Sequence, residues 1–133
     1  MLDMWDPNTW STEASECRVW ATPRLTHCAF VDFEDHQWAL QWLWDVKIAK
    51  RSDHRKKIPY VCRCEATWVD GVRYYRSLYL HIEIMKRTGI IPETDKHILV
   101  DHIDGNTLNC RRGNLQWATY TMNRKNRTDA GAV

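Results

Sequence analysis

The sequence predicts an α+β fold: a small antiparallel sheet with flanking helices, followed by a C-terminal strand–loop–strand–helix segment. Three observations predict it. Tyr60, Cys62, Cys64 and Ala66 alternate with Val61, Arg63 and Glu65, and Asp70-Gly71 is a two-residue turn signal before a second alternating run through Tyr74, Arg76 and Leu78. Period-two alternation closed by such a turn reads as a hairpin. Trp38, Trp42 and Leu43 recur at helical spacing and define one apolar face. Near the C-terminus, two short apolar runs flank the loop DGNTLNCRRGN, whose residues are turn formers.

The elements follow in chain order. Residues 1–28 hold Trp5, Trp10 and Trp20 without a clear period and are expected to form an arm, irregular over most of its length, whose role the residues do not reveal. Ala29, Phe30 and Val31 read as a short strand. Asp32 is placed to cap a helix from Phe33, with Glu34 and Asp35 favourable in its first turn, and that helix is expected to run on to residues 44–47. The basic run KRSDHRKK reads as a loop. The hairpin follows, then a short helix over residues 81–87 ended by Gly89. Ile98, Leu99 and Val100 form a strand before Asp101; Leu115 to Ala118 form another. Thr119 caps a helix over residues 120–127, beyond which TDAGAV should fray. The expected parts are residues 1–28, a sheet-and-helix region at 29–94, a compact motif at 95–127 and a tail at 128–133.

Composition sets the bounds. A chain of 133 residues makes one domain, or one with a satellite, and 44% hydrophobic residues with eight tryptophans supply a core without staples. No apolar run approaches the ~20 residues of a membrane span, and the start MLDMWDPNTW lacks a signal-peptide pattern, so the expected location is the cytoplasm. Five cysteines, an odd number, read as free thiols there. Cys62-x-Cys64 with Cys17 and Cys28 lacks paired zinc-knuckle spacing, so no structural zinc is expected. Net charge is only +2, but seven basic residues face one acid, Asp53, over residues 47–63. Residues 111–127 carry five basic residues and no acid. Such patches suit a polyanionic partner, although each alone also reads as a solvated face.

One constellation carries chemistry. Asp101 and His102 are adjacent, Asn114 lies twelve residues after His102, and Asn123 nine after Asn114. A neutral imidazole, with a reference pKa of ~6.5, can take a proton from water near neutral pH. A carboxylate and an amide oxygen are hard ligands suited to magnesium, with manganese as a substitute. Asn114 at the loop base can bond backbone, or His102 itself to fix its tautomer.

These four positions, with VDHIDGN, the NCRRGNL stretch and WAT, resemble the HNH nucleases in the H-N-N form of small bacteriophage and intron-type homing endonucleases. FVDFEDHQW and LHIEIM extend the likeness over roughly residues 29–127. The resemblance implies a ββα-metal motif that hydrolyses phosphodiester bonds of double-stranded DNA, nicking it or cutting both strands, as a monomer or homodimer inside a bacterial host. It places the general base at His102, the metal at Asp101 and Asn123, and a structural part of the catalytic motif at Asn114. It assigns DNA-backbone contacts to Arg111, Arg112, Arg124, Lys125 and Arg127, with a second contact at Arg55, Lys56 and Lys57. His81 stands as a contact to the scissile phosphate or site support, or as a residue that caps and packs its helix. Relatives usually carry arginine where this chain has Ile82, which leaves that phosphate contact either missing or supplied by Arg76, Lys86 or Arg87. The same residues also admit a restriction or defence nuclease, and a DNA-binding or phage accessory protein with a degenerate site.

Overall fold

The computed structural model describes residues 17–21, 25–50 and 57–131. Trp5 and Trp10 of the arm, and Arg55 and Lys56 of the basic loop, lie outside them. The element order is β1 (Arg18–Trp20), β2 (Cys28–Phe30), α1 (Phe33–Ala39), β3 (Asp45–Lys50), β4 (Lys57–Val69), β5 (Val72–Tyr79), α2 (Leu80–Thr88), β6 (Leu99–His102), a 3-10 turn (Arg112–Asn114), β7 (Leu115–Ala118) and α3 (Tyr120–Gly131). This is the α+β architecture expected, built on three small antiparallel sheets: β1-β2, β3-β4-β5 and β6-β7.

The hairpin forms as the alternation requires. Val69 pairs with Val72 across Asp70 and Gly71, at φ 50° and 79°. Positive φ at both central residues is the type I′ requirement, met by an Asp-Gly pair. Beyond Leu78 the hairpin leaves the core, and residues 66–77 are exposed on both faces. Gly89, at φ 75°, ends α2 in the left-handed conformation that spares glycine a Cβ clash.

Two expectations for the N-terminal half are corrected. Residues 18–20 are not irregular: Arg18 pairs with Phe30 and Trp20 with Cys28, burying Val19. Helix α1 stops at Ala39, well short of residues 44–47. The Trp44 indole N–H donates to the Ala39 carbonyl at 2.8 Å, where the helix ends. Asp45–Lys50 then becomes the third strand of the sheet, pairing with β4 from Asp45↔Cys62 to Lys50↔Lys57. Asp32 holds the N-cap position of α1, but its carboxylate accepts the Arg112 amide at 2.7 Å rather than capping the helix. At the other end, Thr119 does cap α3, its hydroxyl accepting from the Met122 amide at 3.2 Å, and α3 continues through Gly131.

One core unites these parts. Val19, Val31, Trp44, Val61, Leu80, Ile84, Val100, Cys110 and Leu115 are buried against one another. Trp38, Trp42 and Trp44 stack with ring centroids 5.4–6.3 Å apart, and Arg63 lies 4.2 Å over Trp42. The cysteines are free, and burial pushes the Cys110 thiol up to about 12, leaving it a small core hydrophobe. Among the described residues no helix is long and apolar enough to cross a membrane.

Candidate active site

Asp101 and His102 end β6, and their backbones pair with Gln116 and Leu115 of β7. Helix α3 crosses this ribbon so that Asn123 and Asn126 face it. Asn126 donates its amide to the His102 carbonyl at 2.7 Å, tying helix to strand at the site. Asp101, His102, Asn123 and Asn126 together line a pocket of about 190 Å³ that Tyr60 and His81 also line. Three of the four motif residues expected at the site are therefore brought together.

The fourth, Asn114, works beside the pocket. Its amide N–H donates to Asp104 Oδ1 at 2.9 Å and to the Asn109 carbonyl at 2.8 Å, while its Oδ1 accepts from the Asp104 amide at 2.9 Å. Its own carbonyl accepts from Ile103, the residue after His102, at 2.8 Å. All these bonds go to the loop, so Asn114 acts on His102 through the backbone and not through the imidazole. Asp104 is the loop's other hub, also taking the Asn106 amide at 2.8 Å and the Asn109 side chain at 2.9 Å. Burial pushes its carboxyl up, but these bonds and the nearby His102 outweigh it and hold it below the usual range. The loop is fastened outward as well. Phe30 exchanges backbone bonds with Leu108 and Cys110, and Thr107 donates to the Pro59 carbonyl.

The electrostatics favour neutral imidazoles. His102 is 4% exposed and His81 6%. Burial lowers His102 to about 4 against a weak pull upward from Asp104; burial, with some repulsion from His102, lowers His81 to about 3. Both rings keep a lone pair at neutral pH. Asp101 accepts from Gln116 at 3.3 Å through Oδ2. Its carboxylate and the Asn123 amide, lining one pocket, are hard oxygen donors that fit a divalent cation keeping most of its water. Among the described residues no three His, Cys, Asp or Glu side chains gather as a metal cluster.

Residues 79–125, about a third of the chain, match the family model for HNH endonuclease. This segment is an HNH endonuclease domain. No curated protein and no solved structure matches the chain. The HNH match spans α2, β6, β7 and the first half of α3, so His81 lies inside the domain, together with Asp101, His102, Asn114 and Asn123.

The basic residues divide. Arg124 and Lys125 are exposed on α3, and Lys57 is exposed at the start of β4. Arg127 lies on α3, its side chain outside the described residues. Arg112 holds Asp35 through Nε at 2.9 Å and Nη2 at 2.8 Å, with Glu34 at 3.3 Å. Arg111 lies 5.3 Å over the Phe30 ring. Of the stand-ins for the missing arginine at position 82, Arg87 pairs with Asp35 at 3.0 Å, Arg76 with Glu65 at 2.7 Å and Lys86 with Glu83 at 3.8 Å.

Sequence reasoning missed Tyr60, Asn126 and Asp104. Asn126 is three residues past Asn123, one turn along the same helix face, and that spacing was a usable signal. Tyr60 was read only as the start of a strand, and its place at the site follows from the fold.

Proposed function

We propose that the chain is a divalent-metal-dependent DNA endonuclease of the homing type found in bacteriophages, hydrolysing phosphodiester bonds through His102. The observation that carries this reading is the convergence of Asp101, His102 and Asn123 on one pocket within the HNH domain.

A phosphodiester repels nucleophiles, so its hydrolysis needs a deprotonated water, neutralised phosphate charge and help for the leaving oxygen. His102, kept neutral by burial, takes the proton of the attacking water. The phosphate's own negative charge beside the ring restores basicity that burial removes. Asp101 and Asn123 would hold magnesium, or manganese in its place, which supplies charge neutralisation at the phosphate and at the 3′ oxygen. Asn114 and Asp104 keep the loop after His102 in one shape, so the ring is aimed before substrate arrives. Asn126 fixes the His102 carbonyl and with it the angle between α3 and β6. Arg124, Lys125 and Lys57 supply exposed positive charge for the DNA backbone.

Incubation with supercoiled double-stranded DNA and magnesium tests the reading. Nicked or linear product with 5′-phosphate ends, abolished by a chelator and restored by magnesium, is expected. Intact DNA at every magnesium or manganese concentration, with the protein folded, rules the reading out.

A further inference from the structure

The rings of His81 and His102 face each other with centroids 4.5 Å apart and planes inclined at 42°. Both are buried, and on each ring one buried nitrogen has no protein partner: Nδ1 of His81 and Nε2 of His102. A neutral imidazole carries one N–H and one lone pair. Brought together, two such nitrogens satisfy each other when one presents its hydrogen to the other's lone pair; two hydrogens repel and two lone pairs leave both orphaned.

We propose that His81 is a positioning residue for the reaction: Nε2–H of His102 donates to the Nδ1 lone pair of His81, which leaves Nδ1 of His102 unprotonated as the atom that takes the water's proton. The inference rests on His102 being the base. The second ring nitrogen of a catalytic or metal-bound histidine commonly has such a partner to fix its tautomer, and here an imidazole fills that place. The bond closes by rotation of the rings about Cβ–Cγ, a soft torsion. Tyr60 lies against both rings, at 5.7 Å from His81 and 6.2 Å from His102, and Tyr79 lies 6.0 Å from His81. His81 stands on α2, whose Leu80, Ile84 and Met85 are buried, so it is held by a packed helix and not by a loop.

The test is two-bond proton–nitrogen NMR of the histidine rings in the full-length, metal-free protein at neutral pH, with two variants. His81→Asn places an amide oxygen near the position of Nδ1; His81→Phe keeps a ring but removes the lone pair. His102 is expected as the Nε2–H tautomer in wild type and in His81→Asn, and as a mixture in His81→Phe. With DNA, His81→Phe loses about 10–100-fold in kcat at little change in KM, and His81→Asn recovers most of it. An Nδ1–H tautomer of His102 in wild type, or an unchanged tautomer in His81→Phe, overturns the proposal. The wild-type spectrum decides even where His81→Phe does not fold. Because the tautomer is read without DNA or metal, its failure is separable from a failure of the nuclease reading, which shows as intact DNA.

Discussion

Arg112 grips Asp35 across 77 positions of sequence, Nε and Nη2 meeting the two carboxylate oxygens at 2.9 and 2.8 Å. Arg87 adds a third bond at 3.0 Å and lies 4.5 Å over the Trp38 ring. Burial pushes the Asp35 carboxyl up, yet the bonds and charges of the two arginines outweigh it and hold it below the usual range. The fully buried carboxylate therefore joins three pieces: α1, α2 and the 3-10 turn that ends in Asn114. Through it the N-terminal elements fix the HNH domain's loop.

Removing that carboxylate leaves two arginines aimed at an empty, buried position. Asp35→Ala is expected to cost roughly 3 kcal/mol, the scale for breaking a buried pair from one side. Urea unfolding measures it. A loss under about 0.5 kcal/mol, a size typical of surface substitutions, contradicts the account.

Asn114→Ala removes three side-chain bonds from the loop after His102, one of them to the Asp104 carboxylate. A loss of roughly 2–3 kcal/mol is expected, since bonds to charged groups weigh more than neutral ones. Limited proteolysis of the native protein should then open the chain within residues 103–113. Unchanged stability together with an uncut loop contradicts the structural role.

Stability should fall on mild acidification. Burial lowers His102 to about 4 and His81 to about 3, below the ~6.5 of an unfolded histidine. The unfolded chain thus binds more protons across that window. The contribution is complete above pH ~6.5 and lost as pH falls toward 4, on the order of a few kcal/mol for the pair. Urea midpoints from pH 7 to pH 4.5 should decline, and less steeply in His81→Phe. A flat profile refutes burial of both imidazoles in neutral form.

The metal assignment makes its own prediction. Asp101→Ala and Asn123→Ala each remove one of two oxygen donors. Each is expected to raise the magnesium concentration for half-maximal cutting at least tenfold, on the scale seen when support of a metal site is removed. Wild-type metal dependence in both variants contradicts these ligands.

What the sequence made legible follows from how local each signal is. The hairpin needs only alternation and Asp70-Gly71, and α2 needs only its run and Gly89; both lie where expected. Asp101, His102 and Asn123 were legible because a strand end and a helix fix their spacing within one small motif. The end of α1 was not, because Trp42 and Leu43 keep helical spacing past Ala39 while the Trp44 indole bonds the Ala39 carbonyl. The pairing of Arg112 was hidden for a related reason. Composition counts it among five basic residues, but its partner Asp35 belongs to a distant helix. The contact of His81 with His102 joins α2 to β6, and no spacing within either element announces it.

The central claim is that His102 is the base of a DNA-cleaving site. The most direct measurement compares wild type with His102→Ala on supercoiled DNA with magnesium, both proteins shown to be folded. The account predicts a drop in cutting rate of about 10²–10⁴-fold for His102→Ala. Equal cutting by the two proteins would contradict it.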